Sequence, residues 1–394
     1  MMLLIILFYF CLFIVFYAYV GYGILLWFLI KLRKLFGGGN TQIAELPEPA
    51  PGASLVVPCF NEADFLEEKI RNCYALDYPA DRLEILFITD GSTDHSGDIL
   101  KNHPRIRHMH SPERRGKIAA MHRAVGEVKH DLVIFCDANT SLNPEAIRNI
   151  IRHYSDPKVG GVAGEKQVIS RDGTNKAGSG EGFYWKYESF LKKLDSAFYT
   201  VVGAAGELFS FRKELYERPD EGTILDDFIL SLRVCMKGYR VVYEPAAIAS
   251  EAPSFSLADE RKRKIRISAG GFQSVVMLSG LLNIFKYGKA SFQYISHRVL
   301  RWVVCPFLLP VILVLNIILA LKTTSPLFDV LLIAQVLFYG LAVLVSIVKV
   351  RIPIIKLLLI PYYFVFMNLS LYQGFLRYLR GNQSVLWEKA KRGV

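Results

Sequence analysis

The chain has 394 residues, of which 52% are hydrophobic and 21% are charged. Soluble domains are usually less apolar, so part of this chain is expected to lie in lipid. The formal net charge is +11. The sequence nevertheless has no long basic tract interleaved with aromatic residues, which disfavours nucleic acid as a partner.

The six cysteines do not form a CxxC pair, and several follow or lie within apolar runs. This spacing disfavours a disulfide framework and a zinc site, and it fits a reducing, cytosolic compartment.

The first element in chain order is an apolar run over residues 3–30, longer than the ~20 residues that cross a bilayer. It lacks a charged leader and a small-residue cleavage site, so it is typical of an anchor, not of a signal peptide. Lys31, Arg33 and Lys34 follow at once. The positive-inside rule therefore predicts one transmembrane helix (1–34) with the next residues in the cytosol.

A Gly- and Pro-rich linker (35–52) precedes a segment of ordinary soluble composition, 53–260, long enough for one α/β domain. Apolar, β-branched runs predict strands, and amphipathic stretches between them predict helices. The predicted strands are 53–58, 83–89, 106–109 and 131–136, and the predicted helices are 61–74, a helix ending at 102, and 117–125. This alternation predicts a mostly parallel, doubly wound sheet.

Polar residues follow three of these strands: Asn61 and Glu62, then Asp90, then Asp137. Ligands of such sheets bind beyond the carboxyl ends of the strands, so these side chains predict one crevice. Any one of them alone could simply cap a helix or a turn. The sequence contains neither GxGxxG after the first strand nor GxxxxGK[ST], which disfavours a dinucleotide site and a P-loop.

Several short segments occur in a fixed order: Val57-Pro-Cys-Phe-Asn-Glu62, Asp90-Gly-Ser-Thr-Asp94, Arg115-Gly-Lys117, Asp137-Ala-Asn139 and Leu225-Asp-Asp227. Each is weak alone, but together they resemble glycosyltransferase family 2. The closest resemblance is to the membrane branch of cellulose, hyaluronan and poly-N-acetylglucosamine synthases. It covers about residues 53–270 and implies a GT-A fold with a nucleotide-binding and an acceptor-binding half.

The resemblance implies a nucleotide-sugar site, with a uracil loop, a nucleoside-binding carboxylate, a basic residue near the nucleotide and a metal-binding DxD motif. The residues that match the uracil loop are Cys59, Phe60 and Glu62, and the nucleoside-binding carboxylate is Asp90. Lys117 matches the basic residue near the nucleotide, and Asp137 matches the first acid of the DxD motif. Mg²⁺ or Mn²⁺ is the implied cofactor. The third DxD position is Asn139, whose amide oxygen is a weaker ligand than a carboxylate and could instead only cap a turn.

Asp226 and Asp227 begin a predicted helix over residues 228–237 and match the family's Glu-Asp dipeptide. The resemblance implies that Asp227 is the catalytic base, and two adjacent acids tend to raise one pKa. Both could also only cap the helix. Gly203, Ala204, Ala205 and Gly206 resemble the family's small-residue loop at the acceptor and donor sugars, or could serve close packing.

The basic run 261–266 could neutralise the leaving diphosphate through Arg263 and Arg266, or could contact anionic lipid. The family's Gln-x-x-Arg-Trp motif corresponds to residues 263–267, where Arg263 replaces Gln and Ile267 replaces Trp. Because that Trp stacks under the acceptor sugar in the polymerases, its absence leaves a different acceptor open. An amphipathic helix over 182–197 is expected near the membrane.

Basic interfacial helices are expected over 261–296, and transmembrane segments over 297–376, with apolar runs at 299–321, 327–348 and 352–375. A full third crossing would place the basic tail, 377–394, outside, against the charge rule. Pro361 interrupts this run, so we expect a re-entrant or kinked segment and a cytosolic tail. Residues 383–389 resemble a cytosolic segment of related synthases.

The sequence therefore predicts a multi-pass enzyme of the plasma (inner) membrane with a cytosolic catalytic domain. It would transfer a hexosyl or N-acetylhexosaminyl unit from a UDP-sugar to a growing polysaccharide. One alternative is transfer of a single sugar to a lipid, such as a polyprenyl phosphate or a glycerolipid. Another is a nucleotide-sugar-binding membrane protein without turnover, which the intact acidic series disfavours. The sequence leaves open the sugar and any accessory subunit.

Overall fold

The computed structural model describes residues 1–37, 45–169, 180–252, 257–348 and 359–381. The strands are β1 (Ala53–Cys59), β2 (Leu83–Asp90), β3 (Arg107–Ser111), β4 (Leu132–Cys136), β5 (Ser141–Leu142), β6 (Val159–Val168), β7 (Leu208–Arg212) and β8 (Arg240–Glu251). The helices are α1 (Met2–Phe16), α2 (Tyr22–Leu35), α3 (Ala63–Tyr74), α4 (Ser96–Lys101), α5 (Lys117–Glu127), α6 (Ala146–Ile151), α7 (Gly180–Phe198), α8 (Asp226–Met236), α9 (Leu257–Met277), α10 (Ile284–Tyr294), α11 (Cys305–Lys322), α12 (Pro326–Val348) and α13 (Leu359–Leu379).

The eight strands form one mixed sheet in the order β3-β2-β1-β4-β7-β6-β8-β5. The first four strands in chain order pair in parallel, β2 with β1 and β3, and β4 with β1. β7 runs antiparallel between β4 and β6. The predicted GT-A-like α/β fold is confirmed, and the predicted strands and helices of its first half agree with the observed ones to within a few residues.

The central strands are mostly apolar, as expected for a sheet that helices cover on both faces. Alternate residues of β1 point to opposite sides: Leu55 and Val57 lie in one core with α3, α4 and α6, whereas Val56 lies in the other with α5 and α8. A strand buried on both faces is a nearly continuous apolar run. The polar residues that follow these strands lie at the carboxyl edge of the sheet, where they can meet a ligand.

Three helical spans within the described residues are long and apolar enough to cross a membrane. α1 and α2 join through a π-helical segment, Tyr17–Gly21, into one span, Met2–Leu35. α10 and α11 join through a second π-helical segment, Ile295–Val304, into Ile284–Lys322. The third span lies within α12. These spans bear out the prediction of membrane segments near both ends of the chain.

α13 packs along α9 and against α12, and it is not among the three candidate spans. Pro361 lies in its first turn, where proline is tolerated, so it does not interrupt the described helix. Residues 352–358, most of the tail 377–394 including 383–389, and part of the 35–52 linker lie outside the described residues. The domain boundaries stay predictions, and the one at 296/297 falls inside the continuous Ile284–Lys322 helix.

Candidate active site

A cavity of about 1230 Å³ lies between the carboxyl edge of the sheet and the helices that follow it. Its wall contains most of the predicted site residues: Lys117, Asp137, Gly203, Ala204, Ala205, Gly206, Asp226, Asp227, Arg263 and Arg266. A smaller adjoining recess is lined by Cys59, Phe60 and Asp90, and it shares Lys117 with the cavity. The predicted carboxylates 90, 137 and 227 thus lie around two connected openings.

Asp90 fixes the loop that forms one side of the recess. Its Oδ2 accepts hydrogen bonds from the backbone N–H groups of Arg115, at 2.8 Å, and Gly116, at 2.6 Å. Its Oδ1 accepts one from Arg123 Nη2 at 2.8 Å. The Arg114 guanidinium, on the same loop, lies 3.7 Å over the Phe60 ring. The recess therefore has an aromatic face and a cation above it.

Lys117, the first residue of α5, brings a positive charge to the end of β4. Its Nζ donates to Asp137 Oδ1 at 2.8 Å. Burial by itself lowers the pKa of Lys117, but the carboxylates of Asp137, Asp226 and Asp227 outweigh it and raise the pKa above its usual value. The ammonium group thus stays charged beside the acids, where it can meet a diphosphate.

Asp226 and Asp227 occupy the first turn of α8 at the cavity wall. Burial, and then the neighbouring charge of Asp226, raise the pKa of Asp227 to about 7, although Lys117 opposes this shift. A carboxylate with a pKa near neutrality can accept a proton from an alcohol as that alcohol attacks an electrophile. The geometry therefore gives Asp227 the properties of a general base.

Two glycines of the 203–206 segment lie close to residues of α8. A Cβ on Gly206 would lie 3.2 Å from Asp227 Oδ2 and 3.6 Å from Lys117 Nζ, so this glycine lies close to both charged groups. Gly203 has a φ of +86°, and a Cβ there would lie 2.1 Å from Cδ2 of Phe228. The segment thus packs directly against the start of α8. Its contact with sugars stays a prediction.

The residues at this site could hold a divalent cation if the phosphates of a bound nucleotide supplied further ligands. The described residues contain no group of three or more His, Cys, Asp or Glu side chains placed to hold a metal alone. Mg²⁺ commonly binds one or two carboxylates together with substrate phosphates. Asp137 suits this role, with one carboxylate oxygen bonded to Lys117. Asn139 lies two residues further on, partly exposed and outside the cavity wall.

The two predicted arginines of α9 have different neighbours. Arg263 Nη1 and Nη2 lie 3.4 Å from carboxylate oxygens of Glu251 and Glu207, and buried Lys166 pairs with the same two acids. Partial desolvation lowers the pKa of Arg266, while Asp226 opposes this shift. Arg266 therefore interacts electrostatically with the acidic pair on α8. Arg263 instead belongs to an ion-pair network with Glu207, Glu251 and Lys166.

The surroundings of Cys59 and Glu62 do not test their predicted contact with the nucleotide, which stays a prediction. Cys59 is almost fully buried between the core and the wall of the recess, and this burial raises the pKa of its thiol well above the usual value. Glu62 is buried at the N-terminus of α3, and its backbone N–H donates to Ser96 Oγ at 3.2 Å.

Sequence reasoning missed a second set of residues in the cavity wall: Glu188, Arg298, Arg301 and Trp302. Arg298 and Arg301 lie at the border of the apolar run 299–321 and were not predicted as site residues. Ionisable residues at the border of an apolar span are themselves a signal of function, which could have found them. Ile267 lines the cavity as expected, but Trp302 from another helix lines it too, with its ring 5.2 Å from that of Phe228.

Comparison with known proteins places the sheet domain in a family. Residues 54–218 match the model described as glycosyl transferase family 2. Poly-beta-1,6-N-acetyl-D-glucosamine synthase from Staphylococcus aureus strain MSSA476 is 26% identical over 233 residues, which cover 56% of this chain and 55% of that protein. The synthase from Staphylococcus epidermidis is 24% identical over 249 residues, 61% of this chain and 59% of that protein. The chain thus spans little more than half the length of these curated relatives.

Among solved structures, the mannosyltransferase PcManGT from Pyrobaculum calidifontis, in complex with GDP-Man and Mn²⁺, superposes with a TM-score of 0.66. It is 22% identical, and the match covers 94% of this chain and 98% of that one. At this identity the similarity shows the fold, which extends over nearly the whole of both chains. The chain therefore contains a glycosyl transferase family 2 domain built on a GT-A-like fold.

Proposed function

We propose that the chain is a membrane-bound, inverting glycosyltransferase that moves a sugar from a UDP-sugar to a growing polysaccharide. The observation that supports this most directly is Asp227, whose pKa is raised to about 7 in the same cavity wall as Lys117 and Asp137. A base for the acceptor and a cation for the diphosphate thus both lie close to Gly206. The names of the staphylococcal relatives support a polysaccharide as the acceptor.

The transfer is a single displacement at the anomeric carbon. The acceptor oxygen forms a bond to that carbon, while the bond from it to the diphosphate oxygen breaks and its electron pair leaves with the diphosphate. Asp227 accepts the proton of the acceptor hydroxyl. Lys117 and Arg266 stabilise the negative charge that develops on the leaving group. The uracil would lie against Phe60 in the recess whose side Asp90 fixes.

Asp137 is the protein ligand that we propose for Mg²⁺ or Mn²⁺, with Asn139 as a second candidate. When bound, the cation supplies further positive charge to the leaving diphosphate. The fit of Asp137 beside Lys117 supports this role, as does the presence of Mn²⁺ in the mannosyltransferase complex.

We further propose that the catalytic domain faces the cytosol in the plasma (inner) membrane. Lys31, Arg33 and Lys34 follow the apolar part of the Met2–Leu35 span on the side of the sheet domain, which agrees with the positive-inside rule.

The test uses the full chain in lipid nanodiscs with Mn²⁺, supplied in turn with UDP-glucose, UDP-N-acetylglucosamine and GDP-mannose. We expect UDP release from one UDP-sugar together with a labelled product that grows in mass. A product of one sugar on a lipid would favour the lipid-acceptor alternative. Donor binding without release of any nucleotide would contradict the proposal and favour a binding protein.

A further inference from the structure

A buried lysine of α7 lies in the cavity wall without a hydrogen-bonding partner for its ammonium group. Lys192 is only 4% exposed, yet it lines the cavity. Its Nζ makes no hydrogen bond or ion pair with another described residue, and its contact there is the Tyr243 ring, whose centroid lies 5.7 Å away. An ammonium group has three hydrogen-bond donors, and burying them without acceptors costs free energy. A ligand oxygen that accepts from Lys192 would remove this cost.

The carboxylate that acts most strongly on Lys192 is already bonded to other groups. Glu165 accepts a hydrogen bond from Ser189 Oγ at 2.6 Å and another from the Tyr243 hydroxyl. Burial lowers the pKa of Lys192 below its usual value, and the nearby carboxylates only partly offset this. The described surroundings thus supply negative charge to the ammonium group but no hydrogen-bond acceptor.

Lys192 lies at the half of the cavity that the membrane helices complete. It interacts electrostatically with Arg298 of a candidate membrane span, whereas Lys117 lies at the sheet edge and also lines the recess proposed for the uracil. Glu207 acts on both Lys192 and Asp227, so the lysine and the base lie within reach of one carboxylate. The diphosphate is proposed to lie toward Lys117, and the hydroxyl that Asp227 deprotonates belongs to the acceptor. A ligand atom beside Lys192 is therefore part of the acceptor.

The chemistry around Lys192 limits the class of ligand. The charged groups that act most strongly on it are three acids and one base: Glu165, Glu188, Glu207 and Arg298. A ligand carboxylate would meet the like charges of these acids, and a ligand amine would meet the like charge of Lys192 itself. An ammonium group only donates, so the ligand must offer a lone pair. The hydroxyl and amide carbonyl oxygens of an uncharged sugar meet both conditions.

We propose that Lys192 is a specificity-determining residue, which donates a hydrogen bond to an oxygen of the acceptor's terminal sugar, and that this sugar is uncharged. The inference rests on the proposed glycosyl transfer and names the class of its acceptor: a neutral hexose or an N-acetylated hexosamine, and neither a uronic acid nor a free amino sugar. Lys192 holds the ring while Asp227 accepts the proton of the attacking hydroxyl. The transfer step is otherwise the one already described.

Acceptor binding is measured apart from turnover. The full chain in lipid nanodiscs, loaded with UDP and Mn²⁺, is titrated with tetrasaccharides by calorimetry. The neutral probes are a β-1,6-linked tetramer of N-acetylglucosamine and cellotetraose, which separate the amide carbonyl from the hydroxyl as the bound oxygen. The charged probes are the de-N-acetylated tetramer and tetragalacturonate. We expect at least one neutral probe to bind about tenfold more tightly than both charged ones, the value of one charge-assisted hydrogen bond.

Variants test whether Lys192 is responsible. Lys192→Met should weaken binding of the neutral probe about tenfold and raise the acceptor KM by the same factor, with donor affinity unchanged. Because it removes a buried ammonium group without acceptors, its melting temperature should stay the same or rise. Lys192→Gln keeps a donor and should retain part of the affinity. Lys193→Met makes the same change at the next residue, which is exposed, and should alter neither quantity.

The ratio of affinities for the neutral and the de-N-acetylated tetramer gives a further readout. Lys192→Met removes both the donor and the like charge, so this ratio should fall, which a partial loss of folded protein would not cause. A lower melting temperature with unchanged affinity would make Lys192 a structural residue and overturn the inference. Equal binding of the charged probes by the wild type, or no binding of either neutral probe, would overturn it too.

Turnover with labelled donor separates this inference from the proposed function. Transfer by the wild type, with an acceptor KM that Lys192→Met leaves unchanged, would overturn the role of Lys192 while glycosyl transfer stands. Binding of a neutral tetrasaccharide that depends on Lys192, without release of nucleotide from any donor, would mean that the proposed function has failed while the sugar site stands.

Discussion

The two halves of the cavity are assembled over very different distances along the chain. At the sheet edge, Lys117 pairs with Asp137 only 20 residues away, and Asp90 binds the backbone of Arg115 only 25 residues away. On the membrane side, Arg298 pairs with Glu188 across 110 residues. The first half is held by loops that directly follow strands. The second exists only once α7 and the membrane helix Ile284–Lys322 pack together.

This difference indicates a division of labour. At the sheet edge, Asp90 is bonded to the loop before α5 and Lys117 to Asp137, so these charges are held in place before a nucleotide binds. The membrane half has two guanidinium groups and His297 around the carboxylate of Glu188, so its charges meet only between separate helices. Asp227 lies between them, with its carboxylate close to Gly206, and is followed by Phe228, whose ring packs near Trp302. Removing Asp227 should therefore stop the chemistry and leave both halves able to bind.

The largest expected effect follows from Asp227→Asn. The amide cannot accept the acceptor proton, so kcat should fall by about 10²–10⁴-fold. Donor affinity, measured by calorimetry with UDP-sugar and Mn²⁺, should change little, because Lys117 and Asp137 remain. Asp220→Asn, which alters an exposed acid shortly before α8, is the matched control. If donor affinity fell by as large a factor as kcat, Asp227 would also contribute to donor binding, and the two halves of the cavity would not act separately.

The next effect is the dependence of the rate on pH. Because burial raises the pKa of Asp227 to about 7, the carboxylate is protonated at lower pH and cannot act as a base. The value of kcat/KM should fall about tenfold per pH unit below that pKa and level off above it. Glu188, whose pKa is held well below its usual value, stays ionised throughout this range, so the membrane half should not contribute. A flat profile from about pH 5 to about pH 8 would exclude Asp227 as the titrating base.

The sheet-edge half of the cavity could be predicted from the sequence, whereas the membrane half could not. Leu55, Val56 and Val57 require a strand buried on both faces, and Asp90 and Asp137 after such strands predict a shared edge. Those inferences need only local patterns and the rule for parallel sheets. The pairing of Glu188 with Arg298 and Arg301 depends on how α7 packs against the helix Ile284–Lys322. A local sequence pattern does not reveal the packing of helices that are distant along the chain. Trp302 was missed for the same reason, since it reaches the cavity from a helix outside the recognised motif.

A smaller effect is expected from Lys69, which sequence reasoning also missed. Lys69 on α3 is buried, and its Nζ donates to the Thr140 carbonyl at 2.8 Å and contacts Cys136 Sγ at 2.9 Å. These bonds fasten both ends of the turn that bears Asp137 and Asn139. Lys69→Met should weaken Mn²⁺-dependent donor binding by about tenfold, since a ligand held loosely binds less well. KM for the donor should rise more than kcat falls.

The control for Lys69 lies on the same helix. Arg71→Gln changes an exposed cation of α3 and should leave both constants unchanged. If Lys69→Met lowered the melting temperature without altering the dependence of KM on Mn²⁺, Lys69 would serve the core alone. The position of the turn that bears Asp137 and Asn139 would then be set by the end of β4 and not by the hydrogen bonds from Lys69.

The smallest effect concerns Asn139, where a carboxylate would restore the family's DxD pattern. Asn139→Asp adds a charged oxygen two residues after Asp137, and hard cations prefer such ligands. If Asn139 faces the bound cation, the affinity for Mn²⁺ in the presence of UDP should rise by about threefold to tenfold. Asn102→Asp, at the exposed end of α4, controls for added charge alone. An unchanged affinity would mean that Asn139 only shapes the turn. Asp137 and the diphosphate would then hold the cation without it, as the position of Asn139 outside the cavity wall already suggests.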